Sequence, residues 1–272
     1  MADRIFAWLD SLSLPLLGLV LLSGAFLAAG AGFVLRIRKR RLAGSVDSLE
    51  SSIVSAILGL LALLLAFTFS LTIDRFETRR HLVISHSNTI GTAFLRAQLL
   101  PEPHRARLCG LLLDYTRNLL SLARARREEL PDLLARDDRL LGDIWSATGA
   151  AYDTTKAFPF SIGLLDSVNA MIDADAARRG ERLARIPGRV LVSLFLYLVI
   201  TGAVLGYLLT GKGTRIAASI LMGLLVISLL LIIDIDQPTR DSIVESQSSI
   251  EAVLETIENQ PPGSYDRWRN AD

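Results

Sequence analysis

From Ile53 to Ile73 the chain carries no charged residue, and it runs on from there without a Gly-Pro break until Pro101. The charge-free part is 21 residues long, about 31 Å as an α-helix, enough to cross the hydrocarbon core of a bilayer. In lipid every backbone polar group must be satisfied within the segment, so a run of this kind folds as a helix. The continuation, DRFETRRHLVISHSNTIGTAFLRAQLL, places polar and apolar residues at helical spacing. One helix therefore leaves the membrane and carries on as an amphipathic one.

Two faces of that helix differ. Steps of three or four residues connect Ala56, Gly59, Leu63, Phe67, Ser70, Asp74, Thr78, His81, Ser85, Asn88 and Thr92, a set that keeps to one side of a 3.6-residue helix. This stripe is small or polar except at Leu63 and Phe67. Another face carries Phe76, Val83, Ile90 and Phe94, which are expected to pack on neighbouring helices.

Three further charge-free runs are long enough to span: Leu12 to Leu35, Val190 to Thr210 and Ile216 to Ile233. Ala29 and Ala31 give the first an A-x-A pattern like a secretory signal. But Asp3 and Asp10 stand where a basic region belongs, and the run ends in the stop-transfer-like block RIRKRR. It reads as a retained span. The fold class expected is all-α: an integral membrane protein with four transmembrane helices and a helical soluble domain between the second and third. The regions are 1–73 (spans one and two), 74–189 (soluble domain), 190–235 (spans three and four) and 236–272 (an amphipathic helix and tail, packed back near the membrane). Within the soluble domain, Pro101 and Pro103 precede one helix from about His104 to Leu130. Pro131 opens a second, Pro159 precedes a third, and Pro187-Gly188 closes the domain.

The motifs for common chemistries are missing. There is no G-x-S-x-G, H-E-x-x-H or G-x-x-x-x-G-K-[ST], so no enzyme and no cofactor is expected. His81 and His86 stand about 140° apart on a helix and cannot close on one metal from it. Cys109 is the single cysteine, which excludes an intrachain disulfide and a thiolate zinc cluster. It reads as a core residue. Asp137-Asp138 and Glu128-Glu129 read as solvated surface charge. A formal net charge of +1 provides no basic field for nucleic acid.

The stripe admits two readings. In one it faces water or ions, Leu63 and Phe67 forming an apolar constriction that gates by dewetting, with Ser70, Thr78, His81 and Asn88 lining a wider vestibule. In the other the soluble part turns a polar face to solvent, while Ala56 and Gly59 allow close packing in lipid. Asp74, Arg75, Glu77, Arg79 and Arg80 suit an interfacial anchor, or a ring that attracts anions if several copies share an axis. Asp234 and Asp236 suit a cap on the tail helix, a pairing with those arginines, or a cation.

The segment AFTFSLTIDRFETRRHLV (Ala66 to Val83) resembles the end of the second span in bacterial bestrophins, with Phe67, Arg75, Phe76 and Arg80 in the corresponding places. RRHLVISHSNTIGTAFLRAQLLPEP, LLDSVNAMID and IIDIDQP, which bring in Asn88, Asp236 and Pro238, resemble the bacterial family described as bestrophin-like. The resemblance implies a pentamer in a bacterial inner membrane, the second helix lining an axial anion pore and the helical domain in the cytoplasm. The bestrophin constriction would fall on Leu63 and Phe67, with its third ring on Gly59, which supplies no bulk. Animal bestrophins carry an acidic calcium clasp after the last span, where this chain offers Asp234, Asp236 and Asp241. Lysines and arginines in the two short loops (Arg36, Arg38, Lys39, Arg40, Arg41, Lys212, Arg215) argue for the opposite orientation. We follow the resemblance. The expected partners are the lipid bilayer, further copies of the chain and small anions. The alternative is a non-conducting scaffold or sensor whose helical domain binds a partner protein.

Overall fold

A computed structural model describes residues 13–40, 48–126, 128–208, 211–236 and 245–266. All regular structure among them is helical: α1 (Leu14–Arg40), α2 (Ser48–Ala97), α3 (His104–Arg124), α4 (Leu130–Thr155), α5 (Phe160–Leu183), α6 (Gly188–Leu208), α7 (Lys212–Asp236) and α8 (Ser248–Asn259). Prolines mark the starts. Pro103 and Pro159 sit at the N-caps of α3 and α5, and Pro131 lies in the first turn of α4, where its missing N–H costs nothing.

Among the described residues four helical stretches are long and apolar enough to cross a membrane, and they overlap the four charge-free runs. The described residues form two compact units. One takes in the chain up to Phe76 and resumes from Arg185 to the end of α7; the other takes in Glu77–Ala184 and the segment from Glu245. The helix α2 contributes to both, changing units at Phe76 and Glu77.

In the membrane unit, α1, α6 and α7 pack on one another, and the core is built from Leu17, Leu21, Leu61, Leu194, Leu198, Val226 and Ile232. Glycine sets the α1–α6 crossing. A Cβ on Gly32 would fall on the carbonyl oxygen of Ala203, and one on Gly206 on that of Ala29. A Cβ on Gly202 would stand 2.7 Å from the Ala25 carbonyl. The two backbones therefore run in contact, the packing that small residues permit between helices in lipid. Large apolar side chains such as Leu27, Ile220 and Ile227 point outward, as a lipid-facing surface requires.

The helical unit has its own core, with Ile90, Phe94, Leu108, Leu112, Tyr115, Ile144, Leu164 and Met171 buried. Cys109 lies in it, and burial pushes its thiol up to about 11. The tail helix α8 packs on α3 and sends Ile250 and Ile257 into this core.

Candidate functional site

The two faces of α2 are sharply different. One edge is buried in regular steps: Leu61, Leu65, Thr68 and Thr72 within the membrane unit, then Arg79, Val83, His86, Ile90, Phe94 and Ala97 within the helical unit. Of the residues expected to pack, Val83, Ile90 and Phe94 are buried and Phe76 is half-buried. The two threonines satisfy their hydroxyls by donating to the carbonyls of Leu64 and Thr68, 2.7 Å away in each case. Such bonds keep polar groups tolerable in an apolar span.

The opposite stripe is open throughout: all eleven positions from Ala56 to Thr92 are exposed. Leu63 is 51% and Phe67 66% exposed, and a Cβ on Gly59 would meet nothing within 4 Å. Ser70 is exposed in the membrane unit; Thr78, His81 and Asn88 are exposed in the helical unit. The protomer by itself leaves this whole face uncovered.

The buried edge holds a second constellation that the sequence reading missed. His86 is fully buried, and its Nε2 lies 2.9 Å from the Tyr115 hydroxyl. Arg178 approaches its Nδ1 at 3.5 Å. A guanidinium can only donate, so Nδ1 accepts. The proton of the neutral ring then sits on Nε2 and is given to the Tyr115 oxygen. Burial, aided by the positive charges of Arg178 and Arg179, lowers His86 to about 3 and keeps it neutral.

Arg179 is the hub of the acidic side. It pairs with Asp175 and Asp138 at 2.6 Å each, and with Asp137. Asn118 donates to Asp137 at 2.8 Å. Burial raises both buried carboxylates, Asp175 to about 6, against the opposing pull of Arg179. On the other flank Arg178 donates to Gln247 at 3.0 Å, and Arg79 pairs with Glu245 at 2.5 Å. Two expectations are corrected here. Asp137 is fully buried while its neighbour Asp138 is exposed, because Asn118 and Arg179 supply the partners that make burial tolerable. Arg79 is no interfacial anchor but half of a buried ion pair. A register signal was available: Arg79 and His86 each fall three or four residues from Val83, on the packing edge.

The family model described as Bestrophin-like domain matches residues 15–245. The chain belongs to the bestrophin-like family. The fold of this bestrophin-like protein is similar to solved structures of a bacterial bestrophin homologue from Klebsiella pneumoniae. One is a single-substitution variant, with a TM-score of 0.68 at 15% identity over 89% of this chain and 94% of that one. Another gives a TM-score of 0.66 at 16% identity over 89% and 96%. A crystal structure described only as a membrane protein gives 0.67 at 15% identity over 89% and 96%. No curated protein matches the chain.

The motif residues of this bestrophin-like protein have distinct settings. Arg75 and Phe76 are half-buried, whereas Arg80 and Asn88 are exposed; Arg80 reaches Glu77 at 3.4 Å. Asp236 is buried, and both of its carboxylate oxygens accept the Ile186 N–H at 3.1 Å. It thus ties the end of α7 to the chain entering α6. Pro238 and Asp241 lie outside the described residues. Among the described residues no group of three or more His, Cys, Asp or Glu is placed to hold a metal.

Proposed function

We propose that this protein is the subunit of an oligomeric, non-enzymatic channel for small anions in a bacterial inner membrane. Copies gather about a shared axis, five by resemblance, with the open stripe of α2 turned inward and the helical unit in the cytoplasm. The observation that carries the reading is the uncovered face of α2. A helix with one edge regularly buried in its own protomer and the other small, polar and bare is suited to line a passage. Leu63 and Phe67 are the bulky apolar side chains on that face. A ring of them is narrow and unwettable, a barrier that a polar lining does not raise. Ser70 continues the face, as do Thr78, His81 and Asn88 further along the helix, and Gly59 leaves room for water where a third ring would stand. Membership of the family supports the same reading.

Chloride flux from liposomes holding the purified full chain tests it. The expected outcome is flux above empty liposomes, raised in Leu63→Ala and Phe67→Ala. No flux from the wild type or from either variant overturns it. A second reading, a non-conducting scaffold that binds a partner protein, draws on Trp145, Phe158 and Ile162, large apolar side chains exposed on the helical unit. A monomer in detergent with no flux favours that reading.

A further inference from the structure

The membrane unit holds a partly open cavity of about 240 Å³ between α1, α6 and α7. It is lined by Phe26, Gly30 and Phe33 of α1, Gly206 of α6, and Arg215 and Met222 of α7. Phe26 to Phe33 and Arg215 to Met222 are each seven residues, about 10 Å along a helix, so the cavity is a slot running with the helices. Its origin is the glycine crossing. Gly206 brings α6 against the backbone of α1, and a Cβ on the adjoining Gly30 would meet nothing within 4 Å. At the crossing the facing backbone fills the place of a side chain, and beside it Gly30 has none to fill the space on its flank.

The slot is apolar along its length and cationic at one end. The Arg215 guanidinium lies 4.2 Å from the centroid of Phe33. It is exposed and pairs with no carboxylate among the described residues. Stacking uses the face of the guanidinium and leaves its N–H edge free for a planar or tetrahedral anion. Arg215 also stands in the first turn of α7, where the helix dipole favours negative charge. At the same end Arg36 donates to the Tyr207 and Leu208 carbonyls at 2.7 and 3.0 Å. That arginine is occupied in closing the helix ends. Arg215 is left to meet an incoming anion.

We infer that this slot is a binding site for an anionic phospholipid, one acyl chain lying along Phe26, Gly30 and Met222 and the phosphate on Arg215. The chemistry selects this occupant over others. A free inorganic anion has no use for the apolar length. A helix from a second copy, 10–12 Å across, is bulkier than the roughly 240 Å³ the slot offers. A zwitterionic lipid offers the same phosphate, but its own ammonium offsets the attraction to Arg215. Basic pockets between membrane helices take anionic headgroups by this combination of charge and apolar depth. The site lies apart from the α2 stripe and does not depend on conduction.

Native mass spectrometry of the full chain in detergent doped equally with phosphatidylglycerol and phosphatidylcholine tests the inference. The expected result is retained phosphatidylglycerol in about fivefold excess, an excess that Arg215→Gln removes. Gly30→Leu grows into open space and is expected to fold; it should lower retention of both lipids. If it does not fold, Ser219→Leu carries the same test. Glycerol phosphate, which has the headgroup charge and no chain, should not raise the melting temperature. Equal retention of the two lipids by the wild type overturns the proposal, as does an excess that survives Arg215→Gln. Retention unchanged by filling the slot, stabilisation by glycerol phosphate alone, or a disulfide between two copies through Gly30→Cys overturns it equally.

Discussion

In the membrane unit the closest helix contact is made by glycines, with Gly32, Gly202 and Gly206 laying one backbone on another. In the helical unit the tight contacts are ionic, with Arg79, Asp137, Asp175, Arg178 and Arg179 all engaged inside or at the edge of the core. The contrast follows from the solvent each unit excludes. Lipid offers no hydrophobic gain for bringing Leu against Leu, so association there rests on close van der Waals fit. The helical unit gains from burying apolar area against water, and that gain carries the cost of a few buried charges provided every one is partnered. Function follows the same division. The lipid slot belongs to the glycine-packed unit, a fixed polar network belongs to the unit that needs one registry among five helices, and the bare stripe runs along α2 in both.

The largest expected effect breaks the glycine side of this contrast. Gly206→Leu drives a side chain into the Ala29 carbonyl, with no flexible neighbour able to yield. Loss of more than about 4 kcal/mol is expected, seen as aggregation in place of a monodisperse gel-filtration peak. Gly142→Ala, on an exposed turn of α4 with nothing within 4 Å, should instead stabilise by about 0.5–1 kcal/mol. If both glycines tolerate substitution alike, the backbone contact is not what holds α1 to α6.

Next in size is the ionic side. Asp137→Ala strands Asn118 and one arm of Arg179 in the core and is expected to cost about 3 kcal/mol. The double change His86→Leu with Tyr115→Phe removes donor and acceptor together, and should cost less than the two single changes summed. Denaturant titration of the detergent-solubilised chain reads both. Additive costs would mean that the network is a set of independent pairs.

A smaller effect comes from pH, because two members of the network titrate with opposite signs. His86, held near 3 against an ordinary 6.5, is protonated first in the unfolded chain. Its contribution to stability is lost as pH falls through 6.5 toward 3. Asp175, at about 6 against 3.8, is protonated first in the folded chain and adds stability as pH falls from 6 toward 4; the raised Asp137 acts the same way. Between pH 7 and pH 5 the histidine removes about 2 kcal/mol and Asp175 returns over 1 kcal/mol. Asp175→Asn, which keeps the shape and deletes the second titration, should therefore lose about 2 kcal/mol over that interval, where the wild type loses about 0.5 kcal/mol. Equal losses would show that Asp175 does not titrate in the folded chain between pH 7 and pH 5.

Much of this architecture was legible in the sequence. Charge-free length located the spans, and the prolines at 103, 131, 159 and 187 stand at helix starts because proline tolerates only those places. The apolar periodicity of Val83, Ile90 and Phe94 named the packing edge of α2. Periodicity by residue type failed where a polar group shares the buried edge. His86 and Arg79 lie in register with Val83, but their burial depends on partners from α3, α5 and the segment before α8. Asp137 and Asp138 are adjacent and chemically alike; only the rotation of α4 against Asn118 and Arg179 separates a buried carboxylate from a solvated one. The lipid slot was invisible for a related reason, since a cavity is made by three helices and belongs to no single motif.

The smallest expected effect concerns what fastens α8. Two ion pairs join it to α3, Arg117 with Glu258 at 2.8 Å and Arg124 with Glu251 at 2.6 Å, and all four side chains are more than 40% exposed. Short distances invite the view that charge holds the tail helix. Solvent screening argues otherwise: exposed pairs contribute about 0–1 kcal/mol each. Ile250 and Ile257 are almost wholly buried, and truncating either to Ala should cost about 2–4 kcal/mol. Glu251→Ala with Glu258→Ala is thus expected to leave amide exchange in α8 within about threefold of wild type, a change of less than ~1 kcal/mol. Ile250→Ala alone should expose those amides by more than tenfold. If the charge variant opens α8 as far as the isoleucine variant does, the tail is held electrostatically. The helical unit would then rely on ion pairs at its surface as well as in its core, and the contrast with the glycine-packed membrane unit would be sharper still.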